Sequence, residues 1–387
     1  MWRSFIALVC ISFLFDLLPA QPLPFVKLSG KVVDATSGEP LPLANVFLAG
    51  TMLGAATSDS GFFEIKNIPI GVYDLVVSMV GYDVKIQNVR LTDGTDRSLL
   101  IRLKSKPIQT ETVEITAKEP TEWRKLLPRF EQLFVGMTRN ARECTILNPE
   151  VLDLRIDEKT DQFEATAQQP LKIENRALGY LVHIILQIFV EREGVTKYGG
   201  VARFEELQGD ERTKQRWAEN RRRAYEGSRR HFLAALFHNR LNEEGFEAYV
   251  VPGLPREGRY AGPRKQATAA DLLMPGEQPF ERKLSFANYV EIVYRKESEE
   301  SSYLGYAGRV MPPVTGRGRF DAPRSTRFAS GELNDFQTSW LFMERLSVTF
   351  NSAGVLYDPL GVMTYGYWSF ERIADTLPLD YSPAASE

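Results

Sequence analysis

The residues of this 387-residue chain that could do chemistry are three histidines, a lone cysteine beyond the leading apolar run, one Ser-His pair and a cluster of arginines. A zinc peptidase needs closely spaced His and Glu ligands that leave one metal position open. His183, His231 and His238 sit in no HExxH or HxxE pattern. His231 and His238 are two helical turns apart and could share a face with Glu243 or Glu244. The expectation is amphipathic packing with partly exposed imidazoles, and no metal. Ser228 precedes His231 by three residues in "EGSRRH", but no G-x-S-x-G elbow surrounds it, and a helix interior offers no oxyanion hole. Cys144, in "RECTILNP", is expected to be a buried or inert thiol. "GRGRF" and "GYAGRV" lack a following Lys-Ser/Thr and read as turns rather than phosphate cradles. The neighbours Glu205 and Glu206, like Glu243 and Glu244, should point different ways, whereas glycosidase chemistry needs two carboxyls facing across a cleft. No catalytic, cofactor-binding or metal residue is therefore assigned, no cofactor is expected, and a non-catalytic protein is preferred over an enzyme.

Lys214, Arg216, Arg221, Arg222, Arg223, Arg229 and Arg230 fall within seventeen residues. On a helix they spread over most of the polar surface, and Glu211, Glu219 and Glu226 offset part of the charge. Two readings stand: a solvated helix face, or an arginine surface for an acidic partner such as envelope polysaccharide, lipid headgroups or protein carboxylates.

Bulk composition is that of an ordinary globular protein, 43% hydrophobic and 25% charged, and the length suits two or three domains. A formal net charge of −3 exerts no global pull on nucleic acid or anionic lipid. Residues 1–20, "MWRSFIALVCISFLFDLLPA", have Arg3, an apolar run from Phe5 to Phe15 and a small residue at Ala20, in the pattern of a secretory signal peptide cleaved before Gln21. Cys10 lies inside that run, so Cys144 has no partner for an intramolecular disulfide. Export disfavours nucleic acid as a partner, and no span is expected after cleavage. The run 178–190 is too short to cross a bilayer, contains His183 and Gln187, and reads as a buried strand pair.

From Leu28 to Leu103 seven short runs rich in β-branched or aromatic residues alternate with turn clusters, which indicates a β-sandwich. Gly61 and Gly71 sit where reversals would need a positive φ. Residues 105–122 read as a linker. The region 123–387 reads as α+β, with mostly antiparallel strands and one or two amphipathic helices. A helical pattern runs from Trp123 to Asn140, strands follow from Cys144 to Leu207, and an amphipathic helix, or two broken near Gly227, ends at Gly245. Later strands are expected at "ANYVEIVYRK", "SYLGYAG", "SWLFMERLSVTFN" and "YGYWSFER".

The stretch "GKVVDATSGEPLPLANVFLAGTMLGAATSDSGFFEIKNIPIGVYDLVVSMVGY" carries a resemblance. Gly30, Asp34, Gly38, Pro40, Asn45, Gly50, Thr51, Thr57, Gly61, Phe63, Gly71, Tyr73, Gly81 and Tyr82 follow the pattern of the carboxypeptidase-regulatory-like domain common in Bacteroidetes-type cell-envelope proteins. One departure is Ser58, where that family commonly has Asp. The resemblance implies a prealbumin-like seven-stranded sandwich over residues 28–104, similar to carbohydrate-binding sandwiches. It does not imply peptidase activity, since in metallocarboxypeptidases the module is an appendage. Residues 121–387 resemble the less characterised segments that follow this module in some bacterial proteins.

"ETVEITAKEP", from Glu111 to Pro120, resembles the short box that follows the same module in TonB-dependent transporters, although too few residues remain to close a large barrel. The expected function is binding or scaffolding by an exported envelope protein, in the periplasm, at the outer membrane or at the cell surface. The expected partner is an envelope protein or polysaccharide. The alternatives are an envelope hydrolase, peptidase or glycan-active, with the sandwich as accessory, and an accessory component of a TonB-dependent uptake system.

Overall fold

The computed structural model describes residues 25–91, 94–106, 120–192, 195–255, 260–310 and 335–383. The leader, residues 1–20, and most of the "ETVEITAKEP" segment, residues 111–119, lie outside the described residues.

Seven strands build the first unit: β1 (Phe25–Asp34), β2 (Asn45–Leu48), β3 (Gly54–Ala56), β4 (Phe62–Pro69), β5 (Gly71–Ser78), β6 (Lys85–Leu91) and β7 (Arg97–Leu103). They form two sheets, ordered β4-β1-β7 and β3-β2-β5-β6, and only the β1–β7 pair is parallel. Leu28, Val32, Leu48, Leu75 and Ile101 fill the space between the sheets. This is the sandwich that the strand spacing and the resemblance both led to. Gly61 has φ +74°, and a Cβ there would run into the Val32 carbonyl. Gly71 differs from expectation, because its φ is not positive; a Cβ at that position would press on the Tyr73 ring at 3.2 Å.

Two of these strands lack the alternation of a one-sided sheet because both of their faces are covered. Val46, Leu48, Leu75 and Val77 point into the sandwich, while Phe47 and Val76 point out of it and are buried against Val201, with Ile185 packed alongside. The backbone joins across the same boundary. Gly50 N–H donates to the Ala202 carbonyl at 2.6 Å, and Phe204 N–H donates to the Thr51 carbonyl at 3.0 Å. Arg90 lies 3.5 Å from the buried Glu281 carboxylate, a third contact between the sandwich and later residues.

The second unit begins with α1 (Pro120–Phe134), whose Phe130, Leu133 and Phe134 pack on a six-stranded antiparallel sheet. Its strands are β8 (Cys144–Ile146), β9 (Leu152–Asp157), β10 (Gln162–Ala167), β11 (Leu171–Asn175), β12 (Tyr180–Arg192) and β13 (Val195–Glu206). The run expected to be a strand pair is the single strand β12. A register shift between Leu186 and Ile188 reverses its alternation, so Tyr180, Val182 and Ile184 face the core before it and Phe189 and Glu191 after it. That bulge makes both halves of the run look apolar in sequence. One edge of β12 serves β11 and β10 in turn, and the other pairs with β13 along its length.

The basic helical stretch breaks at Gly227, the second of the two readings, and again before Leu241, giving α2 (Glu211–Tyr225), α3 (Arg229–Phe237) and α4 (Leu241–Glu244), with Gly245 at φ +88° closing the last. The third unit holds β14 (Phe246–Val251), β15 (Lys265–Gln266), α5 (Ala269–Leu272), β16 (Leu273–Pro275), β17 (Glu281–Leu284), β18 (Tyr289–Tyr294), α6 (Ser301–Val310), β19 (Gln337–Met343), β20 (Val348–Asn351), β21 (Val362–Gly366) and α7 (Tyr367–Phe370). They form sheets ordered β15-β14-β18-β19-β21 and β16-β17-β20.

Three expectations are corrected here. "SYLGYAG" lies in a helix, α6, whose spacing of Tyr303 and Tyr306 places both rings against Phe370. "SWLFMERLSVTFN" is two strands in different sheets, separated by a turn at residues 344–347. "YGYWSFER" leaves the sheet at Gly366, whose φ of +74° turns the chain into α7. No helix among the described residues is long and apolar enough to cross a membrane.

From Glu371 to Pro383 the chain has no strand and runs across all three units. Ala374 N–H donates to the Val135 carbonyl, Leu379 N–H to Gly50, and Arg230 holds the Pro378 and Tyr381 carbonyls.

Two outcomes follow for stability. Gly179 has φ +72°, and a Cβ there would overlap the Trp217 indole; Gly179→Ala should cost about 2–4 kcal/mol in urea unfolding. A protease site introduced between residues 108 and 119 should, once cut, yield fragments that co-elute in size-exclusion chromatography. Separation of the fragments would show that the sandwich boundary does not hold by itself.

Candidate functional site

The residues singled out in the sequence are used internally. Gly227, at φ +78°, separates α2 from α3; its N–H donates to His231 Nδ1 at 3.1 Å and its carbonyl accepts from Trp368 Nε1 at 2.7 Å. Ser228 is the N-cap of α3 rather than a helix-interior residue: Oγ accepts from His231 N–H at 3.2 Å and donates to the Tyr225 carbonyl at 2.6 Å. Because Nδ1 is an acceptor, the neutral His231 ring carries its proton on Nε2, which faces Glu244 Oε2 at 3.3 Å. Burial pushes the His231 pKa down against the pull of Glu244.

The expectation of a partly exposed imidazole thus fails for His231, which is 7% exposed and packed between the Tyr225 and Phe246 rings. His238 Nε2 donates to the Ser352 carbonyl at 3.2 Å. His183 lies on β12, 3.4 Å from Glu205 Oε2. No cluster of metal-ligating side chains occurs among the described residues. Cys144 is half-buried with its thiol on the Asn140 carbonyl; burial, with Asp375 and Glu143, pushes its pKa up to about 12, which suppresses the thiolate. Glu205 turns to His183 and Arg203 while Glu206 turns to Arg221, so that pair diverges as its adjacency implied.

The arginine cluster fits neither sequence reading as a whole. Lys214 and Arg222 make exposed ion pairs along α2 with Glu211 and Glu226. Arg221 turns inward, donating to the Leu178 carbonyl at 2.7 Å and to Glu206, with its guanidinium 4.1 Å from the Tyr180 ring centre. Arg230 donates to three carbonyls, those of Ala353, Pro378 and Tyr381. Arg229 is half-buried at the start of α3.

The most perturbed groups lie where sequence gave no pointer, at the junction of the turn after α1, the start of α6 and the segment after α7. Asp375 accepts from Thr138 Oγ1 at 2.9 Å and Asn140 Nδ2 at 2.9 Å. Burial, aided by the charge of Glu300, still raises its pKa to about 7. Burial, then Asp375, Glu297 and Glu300, raise the Glu371 pKa well above the ordinary carboxyl range. Glu300 is fixed by Arg139 N–H at 2.9 Å and Ser302 Oγ at 3.1 Å. Tyr303, Tyr306, Tyr367 and Phe370 form the aromatic wall of the junction. Two carboxyls with raised pKa at one junction, one of them titrating near neutrality, have the ingredients of acid-base chemistry. Asp375 lies over 230 positions from its partners Thr138 and Asn140, and the local mark of the acids is "ERIAD", three charges in an otherwise apolar stretch.

The raised pKa of Asp375 fixes a sign. Its folded value exceeds the ordinary 3.8, so the folded protein holds the proton more tightly and this stability is present at low pH and lost as pH rises through about 7. Asp375→Asn keeps an oxygen acceptor without the charge. Its stability advantage over the parent protein should grow as pH rises from about 4 to about 7 and stay at that level above, as read by urea unfolding.

Residues 28–115 match the family described as CarboxypepD_reg-like domain. No curated protein matches the sequence. Among solved structures, the chain is similar to the type II cohesin-X-dockerin complex of Acetivibrio cellulolyticus at 22% identity, over 20% of this chain and 56% of that one, with a TM-score of 0.18. It is also similar to the group B streptococcus pilus 2b backbone protein at 18% identity, over 21% and 41% of the two chains, with a TM-score of 0.19. A third likeness is to GBS52, the minor pilin of Streptococcus agalactiae, at 18% identity over 22% and 46%, also with a TM-score of 0.19. This chain therefore spans about half the length of these structures or less. The first folded unit of the protein is a CarboxypepD_reg-like domain.

Proposed function

We propose that this is an exported cell-envelope protein that acts by binding or scaffolding, with the CarboxypepD_reg-like domain, the linker after it and the α+β region working as one docked body. The observation that carries this reading is the boundary at Gly50, Thr51, Phe47 and Val76, where backbone hydrogen bonds and an apolar face weld the domain to β13. A welded domain presents its remaining sheet surfaces in a fixed relation to the rest of the chain, which suits a binding body better than a swinging spacer. The structural use of His231, Ser228, His238 and Cys144 supports the same reading. The ligand class is an envelope protein or polysaccharide. A second reading is favoured by one feature, the raised pKa of both Glu371 and Asp375 at one junction: a peptidase or glycan-active hydrolase with its acid at Glu371. Accessory membership of a TonB-dependent uptake system would engage residues 111–119.

Export is tested by mass spectrometry of protein from fractionated cells, with an N-terminus at Gln21 in the envelope fraction expected; intact residues 1–20 would overturn it. Binding is tested by co-sedimentation of the mature full chain with isolated envelope polysaccharide. The binding reading expects retention that Glu371→Gln leaves unchanged, with no new reducing ends or amines released. Release that Glu371→Gln abolishes would replace it with the hydrolase.

A further inference from the structure

Gly227 is the bend at which α3 turns away from α2, and its backbone is gripped on both sides. The carbonyl accepts from Trp368 Nε1 at 2.7 Å, and the N–H donates to His231 Nδ1 at 3.1 Å. No side chain of its own can prop the bend, because φ is +78° and a Cβ would lie 2.7 Å from the Tyr294 ring. Just beyond it, Ser228 Oγ joins the Tyr225 carbonyl to His231 N–H. Arg230, in the same turn of α3, holds the carbonyls of Ala353, Pro378 and Tyr381. The segment held in this way reaches the sandwich, where Leu379 N–H donates to the Gly50 carbonyl at 2.7 Å. The first turn of α3 therefore connects the bend to the C-terminal segment.

A neutral imidazole accepts at Nδ1 and donates at Nε2, whereas an imidazolium donates at both. Protonated His231 sets an N–H against the Gly227 N–H. The sides of the ring are covered by Tyr225, Phe246 and Tyr294, with ring centres 5.1, 4.9 and 6.1 Å away, so a second N–H meets aromatic faces rather than a second carboxylate. A buried donor left without its acceptor costs about 1–3 kcal/mol. The charges facing the ring come from three elements. Glu244, on α4, lies 3.3 Å from Nε2 and 3.5 Å from Arg240. Glu226, after α2, pairs with Arg222, and Lys296, after β18, donates to the Glu243 carbonyl at 3.0 Å. Tyr225 and Tyr294 are pushed up by burial and stay neutral. Burial outweighs the two acids and holds the His231 pKa below its ordinary 6.5. The folded protein thus favours the neutral ring, and this stability is complete above about pH 6.5 and lost as pH falls through the lower folded value.

We propose that His231 is an acid-sensitive latch: its protonation breaks the Gly227 N–H···Nδ1 bond, frees the bend between α2 and α3, and through Arg230 loosens residues 378–381 from the sandwich. The latch rests on the geometry of the bend and is independent of both the binding and the hydrolase readings. Asp375, in the same C-terminal segment, responds to acid in the opposite sense, and His183 and His238 are also held low by burial. All three remain in a His231 variant, so the difference between parent and variant isolates the latch.

The test is amide hydrogen exchange read by mass spectrometry on the mature full chain, at about pH 7.5 and about pH 5, corrected for the intrinsic exchange rate. In the parent, peptides covering residues 226–238 and 372–383 should lose protection together at the lower pH, by about tenfold or more. His231→Asn places an amide oxygen near the Nδ1 position and cannot titrate, so it should abolish this pH response in both peptides. Glu244→Gln leaves the Gly227 bond untouched and removes the charge nearest Nε2, so it should move the loss of protection to lower pH. It keeps the latch testable if the Asn variant folds poorly. Unchanged protection in the parent at about pH 5, loss in one peptide without the other, or an equal response in His231→Asn would overturn the latch.

Discussion

Arg230 is the clasp on which the arrangement of the three units depends. Its guanidinium leaves water, which burial resists by lowering its pKa, and is compensated by the carbonyls of Ala353, Pro378 and Tyr381. Those acceptors belong to a segment with no strand of its own, and a backbone without regular structure must find its hydrogen bonds in tertiary contacts. Around the clasp, Leu379 binds Gly50, Met52 N–H binds Asp380, Asn175 binds the Ala374 carbonyl, and Asp375 binds Thr138 and Asn140. The sandwich, the central sheet and the third unit each hold the same thirteen or so residues. Loosening any one of these grips exposes polar backbone at the others.

The clasp explains why the perturbed acids sit where they do. Holding Ala374 against Val135 and Asn175 draws Asp375 into the interior, and α7 then carries Glu371 into the wall of Tyr303, Tyr367 and Phe370. Carboxyl groups placed there hold their protons more tightly than free ones because solvation is lost and their neighbours share their sign. Arg372, one residue further on, emerges toward Tyr198 and Tyr306. The same short segment thus sets an acidic environment on one side and a cationic one on the other. The histidines took a different course, since His231 links the Gly227 break to α4, and its two nitrogens are occupied by Gly227 and Glu244.

The weld between the CarboxypepD_reg-like domain and β13 changes what the module can do in this chain. Phe47 and Val76 are its largest outward apolar contribution to that boundary, and an apolar face covered within the chain is unavailable to a partner. The face of β4-β1-β7 remains open on the module, with Phe62, Lys31 and Leu100 aligned across three strands and all exposed.

The sandwich was legible in the sequence because its signals are local: strands of alternating pattern, turns fixed by residues such as Gly61, and a spaced set of residues that a family shares. The Gly227 break and the Gly245 cap were legible for the same reason, since each is decided by backbone sterics within a few residues. The unbroken runs at Val46–Leu48 and Leu75–Val77 already held the mark of two-sided burial, though not the identity of what covers them. Strand and helix were confused at "SYLGYAG" and "YGYWSFER", where aromatic residues suit either state and the tyrosine cluster settles the outcome. The single strand hidden in 178–190 depended on a bulge that only its partner strand reveals. The neighbours of Asp375, Glu371, Arg229 and Arg372 come from positions far apart in the chain, and their perturbation arises from burial and from one another. Local sterics and periodicity, which act over a handful of residues, are written in the sequence; desolvation and charge pairing depend on which distant segments meet, and only the folded chain decides that.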